Sequence, residues 1–383
     1  MTMSGQPSQD PFSDLPLPPA DPAPNISGKV KALKNALRFG DFHSRWDLAK
    51  QISAWGEDSL GDLLDLLQDP TLDQDSRWLV VRSLGQFDHP LVIAALVNLF
   101  ASTDEDEMHA AIGTALAEIG PNAIAALTAL LPHAQHRLVA VQALARIHHP
   151  ATVPPLVPLV QDPDVAIRAT ALEAVAARGD VSILPVIVYA LEDESARVRL
   201  TAVRGLVSCQ RQVSPQQLVD WLTPRLGDGQ LTVAQQAIYG LGRLQIEAAT
   251  TALLTLGADP AAPPPLQVAV IQALGWQGTA AALAGLIELW EPVGPQPRLE
   301  IIRALEQLPP GELRSQASDH LQQWLGQLSP GGSHSPLRRQ MVLALGKLGN
   351  PSVATVLRSH LNDPDPGVRL HAEAALASLG QAP

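Results

Sequence analysis

The feature that most constrains this chain is a short phrase, roughly Ala-Leu-x-x-Leu-Gly, that recurs with variation from residue 52 to residue 376. Its clearest copies end at Gly120, Gly278, Gly349 and Gly380, with another around Leu241. Looser copies place the same apolar anchor at Ile52, Leu84, Leu144, Val175, Leu206 and Leu305. Consecutive anchors lie 28 to 40 residues apart, most of them 31 to 35. A period of this length predicts a stack of helix pairs, each burying its apolar face only against its neighbours. The expected fold is an all-α, right-handed α-solenoid of about eleven helix pairs. The longest spacing, between Leu305 and Leu345, contains SPGGSHSP (329–336) and reads as a loop insertion.

Between anchors the chain alternates two kinds of helix. The first ends in apolar residues and an acid, at Asp69, Asp162, Asp193, Asp228 and Asp363. A turn follows, often Asp-Pro, in which the carboxylate can cap free amides and Pro has no amide to leave unsatisfied. The second helix carries Val-Arg or Ile-Arg and closes on the phrase, whose final Gly suits a left-handed C-cap. Small residues at Ala171, Ala202 and Ala372 let paired helices approach, while the anchors fill the seam between layers. Residues 1–26 are rich in Pro, Ser and Asp and hold no Lys or Arg, so they are expected to form a disordered tail. Residues 27–380 are expected to form a single repeat solenoid.

Composition narrows the function. Net charge is −12, from 38 acidic and 26 basic residues, and a nucleic-acid binder needs the opposite balance. No apolar run approaches the ~18 residues of a membrane span. The N-terminus lacks a basic start followed by an apolar stretch, and the single Cys209 rules out an internal disulfide. Together these predict a cytoplasmic protein with a buried structural thiol. Four of the five lysines precede residue 51, so the repeats rely on arginine, which pairs bidentately with carboxylates.

The helix, Asp-Pro-Asp turn, Val-Arg and Ala-x-x-Ala-Leu-x-x-Leu-Gly order, cleanest at 361–380, resembles the HEAT-repeat superfamily. The resemblance covers residues 27–380 and is specifically to the short-repeat branch of phycobilisome (bilin) lyase type. The stretch SRWLVVRSLGQFDHPLVIAALVNLF (76–100) looks similar to cyanobacterial members of that branch. The resemblance implies a non-catalytic scaffold or assembly factor gripping a partner protein, in the biogenesis of a photosynthetic antenna or another complex. A phycobiliprotein or other photosynthetic subunit would be the partner. The alternative it implies is a phycobilin lyase or lyase subunit that attaches an open-chain tetrapyrrole to a phycobiliprotein cysteine. Only that alternative brings a cofactor, the bilin.

No residue constellation points strongly to catalysis. Iron-binding HEAT-type hydroxylases carry His-Glu dipeptides, and none occurs here. His133 and His136 share an i, i+3 spacing but lack a neighbouring Cys or acid ligand, and they read as a solvated turn. The acidic run 104–107 reads as a helix start favoured by the dipole. Trp46, Trp55 and Trp78 read as closing the first layer or offering a docking surface. Arg82, Arg168, Arg199 and Arg369 read as a structural ladder to turn aspartates of the same or adjacent repeat: Asp162 or Asp164 with Arg168, Asp193 with Arg199 and Asp363 with Arg369. Partner-binding residues are expected on the second helices, opposite the apolar seam. Aligning three clean copies on the Val-Arg step makes Glu173, Arg204 and Ala374 equivalent, and Tyr239 and Arg243 lie one helical turn apart on the same strip.

Overall fold

A computed structural model describes residues 26–49, 52, 56–330 and 334–380. The tail reading for residues 1–25, and those for Lys50, Trp55 and part of the 329–336 insertion, fall outside the described residues. Within them the chain forms helices in eleven consecutive pairs, from Ile26–Phe39 with Phe42–Ala49 to Ala354–Ser359 with Pro366–Ser378. Residues 1–149 and residues 150–383 form two compact units, each a run of α-solenoid layers. No helix among the described residues is long and apolar enough to cross a membrane.

Every anchor from Ile52 to Leu376 is at most 1% exposed. These residues are the seam, and the period they set gives each layer its one apolar face. Ala171, Ala202 and Ala372 are fully buried beside them, and Cys209 is buried as expected. Several phrases end on a glycine with positive φ, as at Gly278 (57°) and Gly349 (73°), where a Cβ would be strained. The earlier glycine of Ala-Leu-Gly does something different. A Cβ at Gly346 would lie 2.5 Å from the Ala375 Cβ in the next second helix, so a glycine at that place lets the two backbones close up.

The turn aspartates depart from the sequence expectation. Asp162 and Asp363 do not cap the second helix. Each folds its carboxylate onto the amide two residues on (Asp164 and Asp365, 2.9 Å), and those second aspartates are the N-caps. Asp365 accepts from the amides of Gly367 and Val368 at 2.8 and 3.1 Å. The first Asp is thereby left facing the preceding repeat. Arg168 Nε and Nη2 donate to Asp193 at 2.9 Å each, and its Nη1 to the carbonyls of Asp162 and Pro163. Arg199 grips Asp228 at 2.7 and 2.8 Å and the carbonyls of Asp193 and Glu194. Arg338 grips Asp363 at 3.1 and 2.9 Å and the carbonyl of Ser329. Each guanidinium therefore ties down its own turn through carbonyls and the following turn through a carboxylate.

The expected carboxylate pairings therefore shift forward by one repeat, Arg168 to Asp193 and Arg199 to Asp228. Asp363 pairs with Arg338, and Arg369 reaches only the carbonyls of Asp363 and Pro364. Arg82 is not a rung. The ladder position is seven residues before the anchor, which in that repeat is Arg77, bonded to the carbonyls of Asp69 and Leu72. Arg82, two before the anchor, lies over Trp78 (5.4 Å) and faces Glu118 at 3.7 Å.

His136 also corrects the sequence reading. It is half-buried: its ring packs edge-on to Phe100 (4.8 Å) and His109 (5.2 Å), while His133 stays exposed. The His109 ring stacks on Phe100 at 4.3 Å and contacts that residue's carbonyl. Burial, followed by the nearby His109 and His133, pushes the His136 imidazole below its usual pKa, and Asp104 offsets part of this.

Candidate protein-binding face

In residues 150–383 the two rows of helices are unequal. Consecutive second helices touch along most of their length, with alanine and glycine at the crossing. Consecutive first helices splay instead. Between Pro215–Leu222 and Glu247–Gly257 they leave an open groove lined by Ser214, Val219, Asp220, Ile246, Glu247 and Thr251. A stack tight along one row and open along the other curves with the tight row inside. The second helices are therefore the inner row of this unit.

Positions two before and two after each anchor point away from the seam on this row. Glu173, Arg204 and Ala374 are exposed there, as the alignment predicts. Glu173 and Arg204 line one small hollow of about 200 Å³, with Ala177, Thr201 and Ser208. Tyr239 lies on Leu231–Gly242 and is half-buried, and Arg243, one turn on, is the exposed C-cap of that helix. The structure adds a residue that the sequence reading passed over. Trp276, 53% exposed, sits on the next second helix with its ring centroid 5.2 Å from that of Tyr239. It was legible in the phrase ALGWQG, two residues after its anchor and in the same register as Arg243.

Charge along this row is distributed unevenly. Arg303 is held by Glu300, which also accepts from Gln272, and Lys347 is held by Glu306. Among the described residues the side chains of Arg204 and Arg243 have no carboxylate or hydrogen-bond partner, and the Glu173 carboxylate has none either. No group of three His, Cys, Asp or Glu side chains among the described residues is arranged to hold a metal.

Residues 124–188, 183–264 and 321–383 match the family model for HEAT repeats, together more than half of the chain. The chain belongs to the HEAT-repeat family. Similar solved structures share the fold at low identity. A chain of the Kap95:Nup1 complex aligns at a TM-score of 0.64 and 13% identity, covering 92% of this chain and 56% of that one. A chain from the structure of Kap95p bound to RanGDP gives 0.61 and 13%, covering 92% and 55%. Importin beta gives 0.53 and 13%, covering 92% and 60%. This HEAT-repeat chain thus spans a little over half the length of those solved chains. No curated protein matches its sequence.

Proposed function

We propose that this HEAT-repeat chain is a non-catalytic scaffold that holds a partner protein against the inner row of residues 150–383, at Arg204, Tyr239, Arg243 and Trp276. The observation that carries the reading is the break in chemical regularity there. The Arg–Asp ladder repeats one residue type at one register because it serves the stack. Equivalent inner positions instead hold Glu173, Arg204, Tyr239 and Gln272, variety that a stack does not need and a partner-shaped surface does. The similar Kap95 structures, one with Nup1 and one with RanGDP, add support from proteins of the same fold.

An antenna-complex setting, with a photosynthetic subunit as partner, remains the finer form of this proposal and rests on the resemblance of residues 76–100. Under its bilin-lyase variant, mixing the protein with bilin would change visible absorption or fluorescence. The scaffold reading predicts no such change.

The test is co-purification from the native cell. Arg204→Glu should lose the partner while melting within about a degree of wild type, since exposed substitutions usually cost under ~0.5 kcal/mol, and Tyr239→Ala should lose it while still unfolding cooperatively. Full recovery of the same partner by both folded variants would move the binding surface elsewhere.

A further inference from the structure

We infer that the occupant of this face is an extended acidic segment carrying an aromatic or proline side chain, and that Arg204 and Arg243 select it by charge. The inference rests on the inner-row reading above and adds the chemistry of the ligand.

Geometry sets the form of the occupant. Residues two before and two after an anchor are four apart, or about 6 Å along a helix. Neighbouring second helices are about 8–10 Å apart. Arg204 and Tyr239 occupy the same register on adjacent helices, and Arg243 and Trp276 share the other register. The four side chains thus form a strip three helices wide, roughly 16–20 Å. At about 3.3 Å per residue, an extended segment of five or six residues crosses it. A folded domain would need a far larger apolar area than one tilted Tyr–Trp pair provides.

Chemistry sets the sequence of the occupant. Tyr239 and Trp276 pack on each other at a 47° tilt, and Trp276, 53% exposed, leaves ring surface on which a flat apolar side chain such as another ring or a proline can stack. The guanidinium groups of Arg204 and Arg243 have no carboxylate, in a chain that carries 38 acids and pairs the two other cations at these registers in this unit, Arg303 and Lys347. Free arginines with forked donors match carboxylates on a ligand, and a bidentate pair reads geometry as well as charge. Glu173, also unpaired, sits in the hollow with Arg204 and disfavours an acid at that end. The aromatic pair and the two arginines together reject a basic segment and a purely apolar one.

The test is selection of a random peptide-display library on the full chain. Enriched sequences should carry Asp or Glu within about three residues of Trp, Phe, Tyr or Pro. A synthetic copy of the leading peptide should bind at least tenfold more weakly when its acids become amides. It should lose at least tenfold on Arg204→Gln/Arg243→Gln and on Trp276→Ala, with melting unchanged, and should weaken as salt rises. Enrichment of basic peptides, no enrichment, or equal binding to the amide peptide or to the double variant would each overturn the inference. If the acidic preference fails while Arg204→Glu still abolishes native co-purification, the face is right and its chemistry is wrong. If both fail, the inner-row reading falls with it.

Discussion

Arg338 shows how much a single rung can carry. Its side chain is 1% exposed and that of Asp363 is 3%, so the pair sits away from water. Removing one partner of a buried pair strands the other charge, at a cost of about 3–5 kcal/mol. Arg338→Met should therefore lower the denaturation midpoint strongly, and adding Asp363→Asn should recover much of the loss. Equal stability of the single variant and wild type would show that the rung adds nothing. The same ladder gives an acid limb. The Arg199 bonds hold the Asp228 carboxyl below its usual 3.8, so its contribution is present above that value and is lost as pH falls below it through the lowered folded-state pKa. His136 acts in a separate window. Its folded-state pKa lies below the ordinary 6.5, so the unfolded chain binds more protons and stability falls as pH drops from 6.5 toward the lowered value. The groups facing it are His109, His133 and Asp104. Melting between pH 7 and 5 should show a decline for residues 1–149 that His136→Leu flattens, and an unchanged slope would contradict the account.

At the scale of the element, the second helices were the most legible part of the sequence, because one repeated phrase encodes their core, their crossing and their stop. The anchors all proved buried, and Glu173, Arg204 and Ala374 proved equivalent and exposed. What the sequence obscured was partner choice across repeats. Arg168 and Asp162 are close in sequence, so a pairing within one repeat looked natural. The Asp162 carboxylate is spent on its own turn, and the guanidinium reaches forward to Asp193. Arg82 misled because Val81-Arg82 is itself a Val-Arg step, yet it lies five residues past the ladder register. Trp276 was missed because its phrase was read as helix punctuation. The crossing glycine gives a sharp test. In an ordinary helix Gly→Ala is stabilising by up to about 1 kcal/mol. At Gly346 the new Cβ meets Ala375, and overpacking of this kind costs about 1–3 kcal/mol. Gly346→Ala should therefore destabilise, as measured by urea unfolding, and a gain would show that the second helices are not held so close.

For the whole molecule, a stack in which layers meet only their neighbours separates stability from recognition. Leu345→Ala should cost roughly 2–5 kcal/mol, with faster amide exchange confined to residues near 335–380, because damage in a repeat array stays local. Recognition instead depends on the few side chains that the stack does not use. The most direct measurement is site-specific photo-cross-linking in the native cell. A photoreactive residue at Ser208, on the inner row, is compared with one at Thr251, in the groove between first helices. A partner should cross-link from Ser208, lose that cross-link with Arg204→Glu, and form none from Thr251. A cross-link from Thr251 alone would place the partner on the outer row and contradict it.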